Sequence, residues 1–236
     1  MFPVGTEWNP LQAKLRDLLT KGSDFEQAKA LLLHMHAMLH QGSVYGQSEP
    51  TLMDMIWEGL APEAFVTMPT ADDVTIAWNT WHITRIEDLT ANLLIAGGSQ
   101  VLDSEWLKRL QTVVTDTGNA MTDKEILSFS KEVDQQALRQ YRNAVGRQTK
   151  NILKNLTEHD LKRKFPKDQV DRILAQGGVT EHPDSIWLLD FWGRKNVAGI
   201  LLMPITRHQM GHLNDCLKLK EKCARRAHAK RKREAE

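Results

Sequence analysis

Cysteine is nearly absent from this 236-residue chain, with only Cys216 and Cys223 present. On one helix face they would stand about 10 Å apart at 1.5 Å per residue, too far for a disulfide. A disulfide-stapled secreted scaffold is excluded, and a reducing cytoplasm is the expected setting. An excess of one charge is lacking too. The 31 Lys and Arg residues nearly cancel the 30 Asp and Glu residues, so no global field steers the chain toward nucleic acid or a membrane surface. No window approaches 18 uninterrupted apolar residues, and the opening Met1 to Glu7 has neither a basic nor an apolar leader segment. Strand-like alternation and fixed-period repeats are also missing.

What remains is helical patterning. With 41% hydrophobic residues, the chain can bury a core as one large domain or two small ones. Asn9-Pro10 starts a short amphipathic helix that ends near Gly22. Ser23 with Glu26 forms a capping box for a helix reaching about Gln41. Thr70 with Asp73 caps another that runs to Ala96. Thr122 with Glu125 opens a third, expected to continue to about Leu156 with Gly146 as its weak point. A last long helix follows Pro204. Four long amphipathic helices, over 23–41, 71–96, 122–156 and 204–225, predict an all-α four-helix bundle with short inserted helices. The expected division is an N-terminal helical extension (1–22), the bundle (23–217) and a basic helix end (218–236).

His208 and His212 share one face of the last helix, which also carries Ile205, Cys216 and Leu219 and so looks inward. Buried imidazoles need partners, because an unpaired polar group costs a few kcal/mol. His82 lies on the inward face of the second long helix, with Trp78, Ile86, Leu89 and Leu93. Three neutral imidazoles are the protein ligand set of an open catalytic zinc site, and nickel accepts it as well. Spacing alone still leaves satisfied core histidines as the stronger reading.

The run Trp81-His82-Ile83-Thr84-Arg85-Ile86-Glu87-Asp88, followed on the last helix by His208-x-x-x-His212, resembles the DinB-like superfamily over residues 20–220. The resemblance implies a four-helix bundle whose divalent metal, zinc or nickel, is held by His82, His208 and His212. Characterised members of that family resemble thiol S-transferases and thiol-dependent isomerases. Of these the resemblance implies first a thiol-dependent S-transferase acting on a small molecule, with a low-molecular-weight thiol as co-substrate, and often a homodimer. Fold transfers more safely than activity in so divergent a family. A metal-dependent hydrolase and a non-catalytic metal-binding or regulatory bundle therefore stay open.

The protease signature is not met. Gln209 stands where His-Glu-x-x-His carries its general base. Around the triad, Asp215 is placed to orient an imidazole, although a pairing with a lysine of its own helix is the simpler expectation. Arg85 is placed to reach an anionic substrate, with a salt bridge to Glu87 or Asp88 as the alternative. His36 is placed to line the substrate pocket. The pair His36 and His40 repeats the i, i+4 spacing, but its position near a helix C-terminus accounts for it through the dipole. Glu87 points away from His82. The tryptophans, Trp187 and Trp192 among them, read as core fillers, and Cys216 as a buried hydrophobe whose thiolate would close the site if it ligated. The basic run from Lys218 to Arg233, with Glu221 as its only acid, is the one hint of nucleic acid. It reads instead as a frayed, solvated helix end.

Overall fold

The computed structural model describes residues 2–21 and 24–235. A π-helical turn (Val4–Trp8) leads into α1 (Asn9–Lys21), followed by α2 (Phe25–Leu39), the short α3 (Gly42–Tyr45), α4 (Leu52–Trp57) and α5 (Pro62–Val66). The helix α6 (Ile76–Asp88) is prolonged by a π-helical segment (Leu89–Ile95). After α7 (Ser104–Leu110) come α8 (Asp123–Glu132), α9 (Gln135–Asn155), a 3-10 turn (Glu158–Lys162), α10 (Lys167–Ala175) and α11 (Pro183–Gly193). Then α12 (Val197–Leu202) passes through a π-helical turn (Met203–Arg207) into α13 (His208–Ala235). Among the described residues no strand forms, and Lys164 and Asn196 make an isolated bridge. No described helix is long and apolar enough to cross a membrane. The architecture is all-α, as expected.

The bundle consists of α2, α6, α9 and α13, with α6 packed against both α9 and α13 and α2 against the same two helices. Its helix starts differ in part from those expected. Ser23 and the stop at Gly22 lie outside the described residues; the side chain of Asp24 caps α2 by accepting from Gln27 N at 2.9 Å. The cap of α6 is Thr75, which accepts from Trp78 N at 2.9 Å, while Thr70 and Asp73 close a local turn with a 2.6 Å bond. The Thr122–Glu125 capping box is formed. The single helix expected over 122–156 is broken, however, and the break is not at Gly146. Val133 turns extended, Asp134 N donates to Leu110 O at 3.0 Å, and the Asp134 carboxylate accepts from Ala137 N at 2.7 Å to start α9 afresh. An aspartate that can cap a new helix outcompetes continuation.

α6 is buried on nearly every face, yet polar residues are spread along it. Thr80, Thr84 and Thr90 bond back to the carbonyls four residues earlier at 2.6 to 2.8 Å, which satisfies their hydroxyls within the helix. Glu87 lies at the centre. It accepts from His36 Nε2 at 2.8 Å, His40 Nε2 at 3.0 Å and Arg142 Nη1 at 3.0 Å. Arg142 Nη2 in turn donates to Gln209 Oε1 at 2.5 Å and to Leu39 O at 3.2 Å. All four bundle helices thus meet at one buried ion pair. Burial pushes the Glu87 carboxyl up, but the His40 and His36 donors and the neighbouring guanidinium hold it well below the usual carboxylate range.

Gly146 has its own role in this network. A Cβ there would lie 2.3 Å from His40 Nδ1, and the imidazole cannot retreat without leaving Glu87. Helix propensity alone says that Gly146→Ala should stabilise α9 by about 1 kcal/mol. We expect the opposite sign, a loss of about 1–3 kcal/mol from overpacking, measured by urea denaturation. A stabilised variant would show that the ring is free to move.

Candidate metal centre

His82 is held by the loop that follows α7. Its Nδ1 lies 2.8 Å from Thr117 O. A carbonyl can only accept, so Nδ1 carries the proton and Nε2 is left with a bare lone pair. Neighbouring side chains of α6 clamp the same loop: Trp78 Nε1 donates to Gly118 O, Trp81 Nε1 to Asp116 O and Arg85 Nε to Thr115 O, at 2.8 to 3.1 Å. Gly118 sits at φ +74°, and a Cβ there would come within 2.8 Å of Trp78 Nε1, so only glycine permits so close an approach. Trp78 stacks on the His82 ring with centroids 4.6 Å apart and planes 10° apart.

His208 and His212 come from the first turns of α13. Pro204 has no N–H for the preceding turn, and the chain widens into a π-helical turn over Met203–Arg207. The carbonyls this exposes are taken by side chains. Thr206 Oγ1 donates to Leu201 O at 2.8 Å, Gln12 Nε2 to Leu202 O at 2.9 Å, and Gln209 Nε2 to Pro204 O and Ile205 O at 3.3 and 3.2 Å. His208 Nε2 then lies 3.2 Å from His82 Nε2. His212 Nδ1 lies 2.6 Å from Asn79 Oδ1. The Asn79 amide is oriented by its own bond from Nδ2 to Thr75 O at 3.1 Å, so His212 is also protonated at Nδ1 and bare at Nε2.

One ring nitrogen from each of the three histidines lies within 4.8 Å of the others. Burial, reinforced by the charge His212 would carry, pushes His82 down to about 3 despite its bond to Thr117. Burial pushes His212 down to about 4 against the pull of Asp215. His208 is also held well below its usual value by burial and by the neighbouring His82, His212 and Arg142. Neutral imidazoles thus turn lone pairs toward a common point, and His208 Nδ1 is buried without any partner. Protons alone let His208 Nε2–H donate to His82 Nε2 at 3.2 Å, which leaves the His212 Nε2 lone pair unanswered among the described residues. A divalent cation would take one lone pair from each ring and leave only His208 Nδ1 without a partner, so the donor set fits a metal.

Beside His82 and His208 opens a cavity of about 130 Å³, walled by Trp187, Phe191 and Trp192 of α11 together with Asn119 and Met203. Trp192 is a core residue as expected and also part of this wall, whereas Trp187 is 48% exposed at the surface and does not fill the core.

The remaining site expectations land elsewhere. His36 is fully buried against Glu87 and Tyr45 (2.8 and 2.7 Å) and does not line this cavity. Arg85 is spent on Asp88, Tyr141 and Gln100 at 3.0, 2.9 and 2.7 Å, leaving no group for an anionic substrate. Asp215 is exposed and pairs with Lys218 at 2.8 Å instead of orienting an imidazole. Cys216 is buried and is not among the clustered ligand atoms, so the triad stays a three-histidine set. His36, His40 and Glu87 also cluster, but the carboxylate already accepts two imidazole N–H groups and a guanidinium, a charge balance that leaves nothing for a cation. The basic helix end is not frayed: Lys222 pairs with Asp73 at 2.6 Å and Lys220 donates to Met55 O at 2.6 Å, which ties α13 to the body as it leaves the bundle.

A family model described as the DinB superfamily matches residues 47–216. The chain belongs to the DinB superfamily. All three histidines, Asn79 and Thr117 fall within the matched residues, whereas α1 and α2 precede them. No curated protein matches the chain. Sequence reasoning missed Asn79 and Thr117. Asn79 stands three residues before His82, a spacing that could have marked it, while Thr117 acts through its carbonyl, which no side chain announces.

A residue that orients a ligating imidazole typically contributes 10–100-fold in metal affinity. Asn79→Ala is therefore expected to weaken divalent-metal binding by about that factor in a chelator competition. Affinity equal to the unmodified protein would remove Asn79 from the site.

Proposed function

We propose that this DinB superfamily member is a metal-dependent transferase that uses a small thiol. His82, His208 and His212 hold the divalent ion, zinc or nickel being suited to three imidazoles. Bound there, the ion supplies Lewis acidity that keeps a coordinated thiol deprotonated at neutral pH. The chain's own part is to fix two of the three imidazole tautomers, through Thr117 O and Asn79 Oδ1, and to offer the second substrate an apolar cavity next to two of the ligands. In the overall transfer the thiol proton is released, a sulfur–carbon bond forms at the electrophile, and the leaving group departs with its electron pair.

The observation that carries the metal site is three imidazole nitrogens within 4.8 Å of one another, two of them on rings whose Nδ1 proton is already fixed. The choice of thiol over water rests on the family resemblance, since a divalent ion lowers the pKa of bound water as well as of bound thiol. Among the described residues no carboxylate is hydrogen-bonded to any of the three histidines, so the ion itself would have to ionise either ligand. The two cysteines, with no disulfide between them, suit a reducing cytoplasm, and the homodimer implied by the family belongs to the same proposal.

Metal analysis tests the site. The purified protein is expected to hold about one equivalent of divalent metal, and His82→Ala, His208→Ala and His212→Ala are each expected to lose most of it. Full occupancy in all three variants would sink the triad. In a cobalt-substituted sample, added thiol should shift the visible spectrum. A spectrum that responds to pH but not to thiol would point to hydrolysis.

A further inference from the structure

The cavity beside His82 and His208 selects by charge and by size. Apart from those two imidazoles its lining holds no ionisable side chain: Ile86, Leu188, Met203 and Pro204 are apolar, the α11 residues are aromatic, and Asn119 is polar but neutral. A charged group lying against these walls would lose its hydration and find no counter-charge among them, which is strongly unfavourable; the one counter-charge nearby, for an anion, is the ion proposed at His82 and His208. An apolar group loses nothing. The volume of about 130 Å³ is close to that of an engineered apolar cavity, of about 150 Å³, that takes up benzene. One six-membered ring therefore fills it. Trp187 and Phe191 meet edge to face with centroids 5.6 Å apart, the arrangement aromatic rings also prefer toward a bound ring.

Asn119 adds a directional element. Its Oδ1 accepts from Thr117 Oγ1 at 2.8 Å, which fixes the amide. Its Nδ2 makes no hydrogen bond to the described residues and remains available as a donor. The loop that fixes the His82 tautomer therefore also presents one N–H at the cavity wall.

Building on the transferase reading above, we infer that the electrophilic co-substrate seats an uncharged group about the size of one six-membered ring in this cavity, where it accepts a hydrogen bond from Asn119. A charge on the seated group is disfavoured by the same walls, so discrimination within the cavity rests on desolvation; the ion's own charge acts only on groups that reach His82 and His208.

The test is calorimetric titration of the full-length protein, before and after chelation, with acetophenone, toluene, benzoate and benzylammonium. After chelation, acetophenone and toluene should bind, and the two ions at least tenfold more weakly; with metal bound, benzylammonium should stay as weak. Asn119→Ala should weaken acetophenone roughly fivefold, the effect of one hydrogen bond, and leave toluene unchanged. Leu188→Phe, which fills the cavity, should abolish binding of both. If circular dichroism shows that variant unfolded, Met203→Phe at the cavity edge serves in its place. Benzoate binding to the chelated protein as well as acetophenone, or undiminished binding in the filled variant, would overturn the inference. Because chelated protein is expected to bind these probes, loss of the metal reading leaves the cavity result standing. Benzoate that binds only while metal is present supports both readings.

Discussion

The ion pair between Glu87 and Arg142, fully buried with its charged atoms 3.0 Å apart, sets the register of the bundle. Helices packed through apolar faces can slide by a residue at small cost, but a buried carboxylate and guanidinium cannot. Each must find the other together with its remaining partners, and those partners are spread over α2, α6 and α13 as well as α9. Once that point is fixed, Glu87 places His82 five residues earlier on α6, and Gln209 places the adjacent His208 on α13. The convergence of the triad is therefore downstream of an interaction that touches none of its members. Whether the pair adds net stability over an apolar replacement is secondary; its effect here is uniqueness of arrangement.

The two histidine pairs at i, i+4 spacing show how far spacing reaches as a signal. His36 with His40 and His208 with His212 are indistinguishable by pattern. What separates them is the residue that α6 turns toward each. Glu87 meets the first pair with a charge that accepts both N–H groups, and the matter ends there. His82 meets the second pair with a lone pair instead of a charge, and the one proton His208 can offer it still leaves the His212 lone pair open. A pair of imidazoles facing a carboxylate is a structural network, whereas a pair facing a third imidazole is an invitation to a cation.

The bundle was legible because it rests on helical periodicity, which the apolar positions of α2, α6, α9 and α13 display clearly. Periodicity put the three histidines on inward faces, but the resemblance of their two motifs to the family, not spacing, joined them into one site. The failures have physical reasons. Asp134 was passed over because Val133 continues the apolar stripe of α8, and a cap inside an otherwise regular pattern is decided by tertiary contact with Leu110 O. Gly146 looked like a weak point since glycine costs helix stability; its absent side chain is what lets His40 approach. Trp192 is core, as expected; Trp187, read the same way because aromatic residues fill cores far more often than they wall open cavities, departs from that reading. Arg85 and Asp215 took the simpler of their two readings, as charged residues with a nearby opposite partner generally do.

The side chain of Gln12 in α1 holds the carbonyl of Leu202 and contacts Thr206 Oγ1 at 3.2 Å, at the widened turn that precedes His208. Residues near the start of the chain therefore finish a segment some 190 residues later, and His36 and His40 do the same for Glu87. None of these lies within the matched residues 47–216. The matched stretch is thus not its own folding unit: cut at residue 47, it would keep all three metal-seeking imidazoles and lose the parts that hold two of its helices in place.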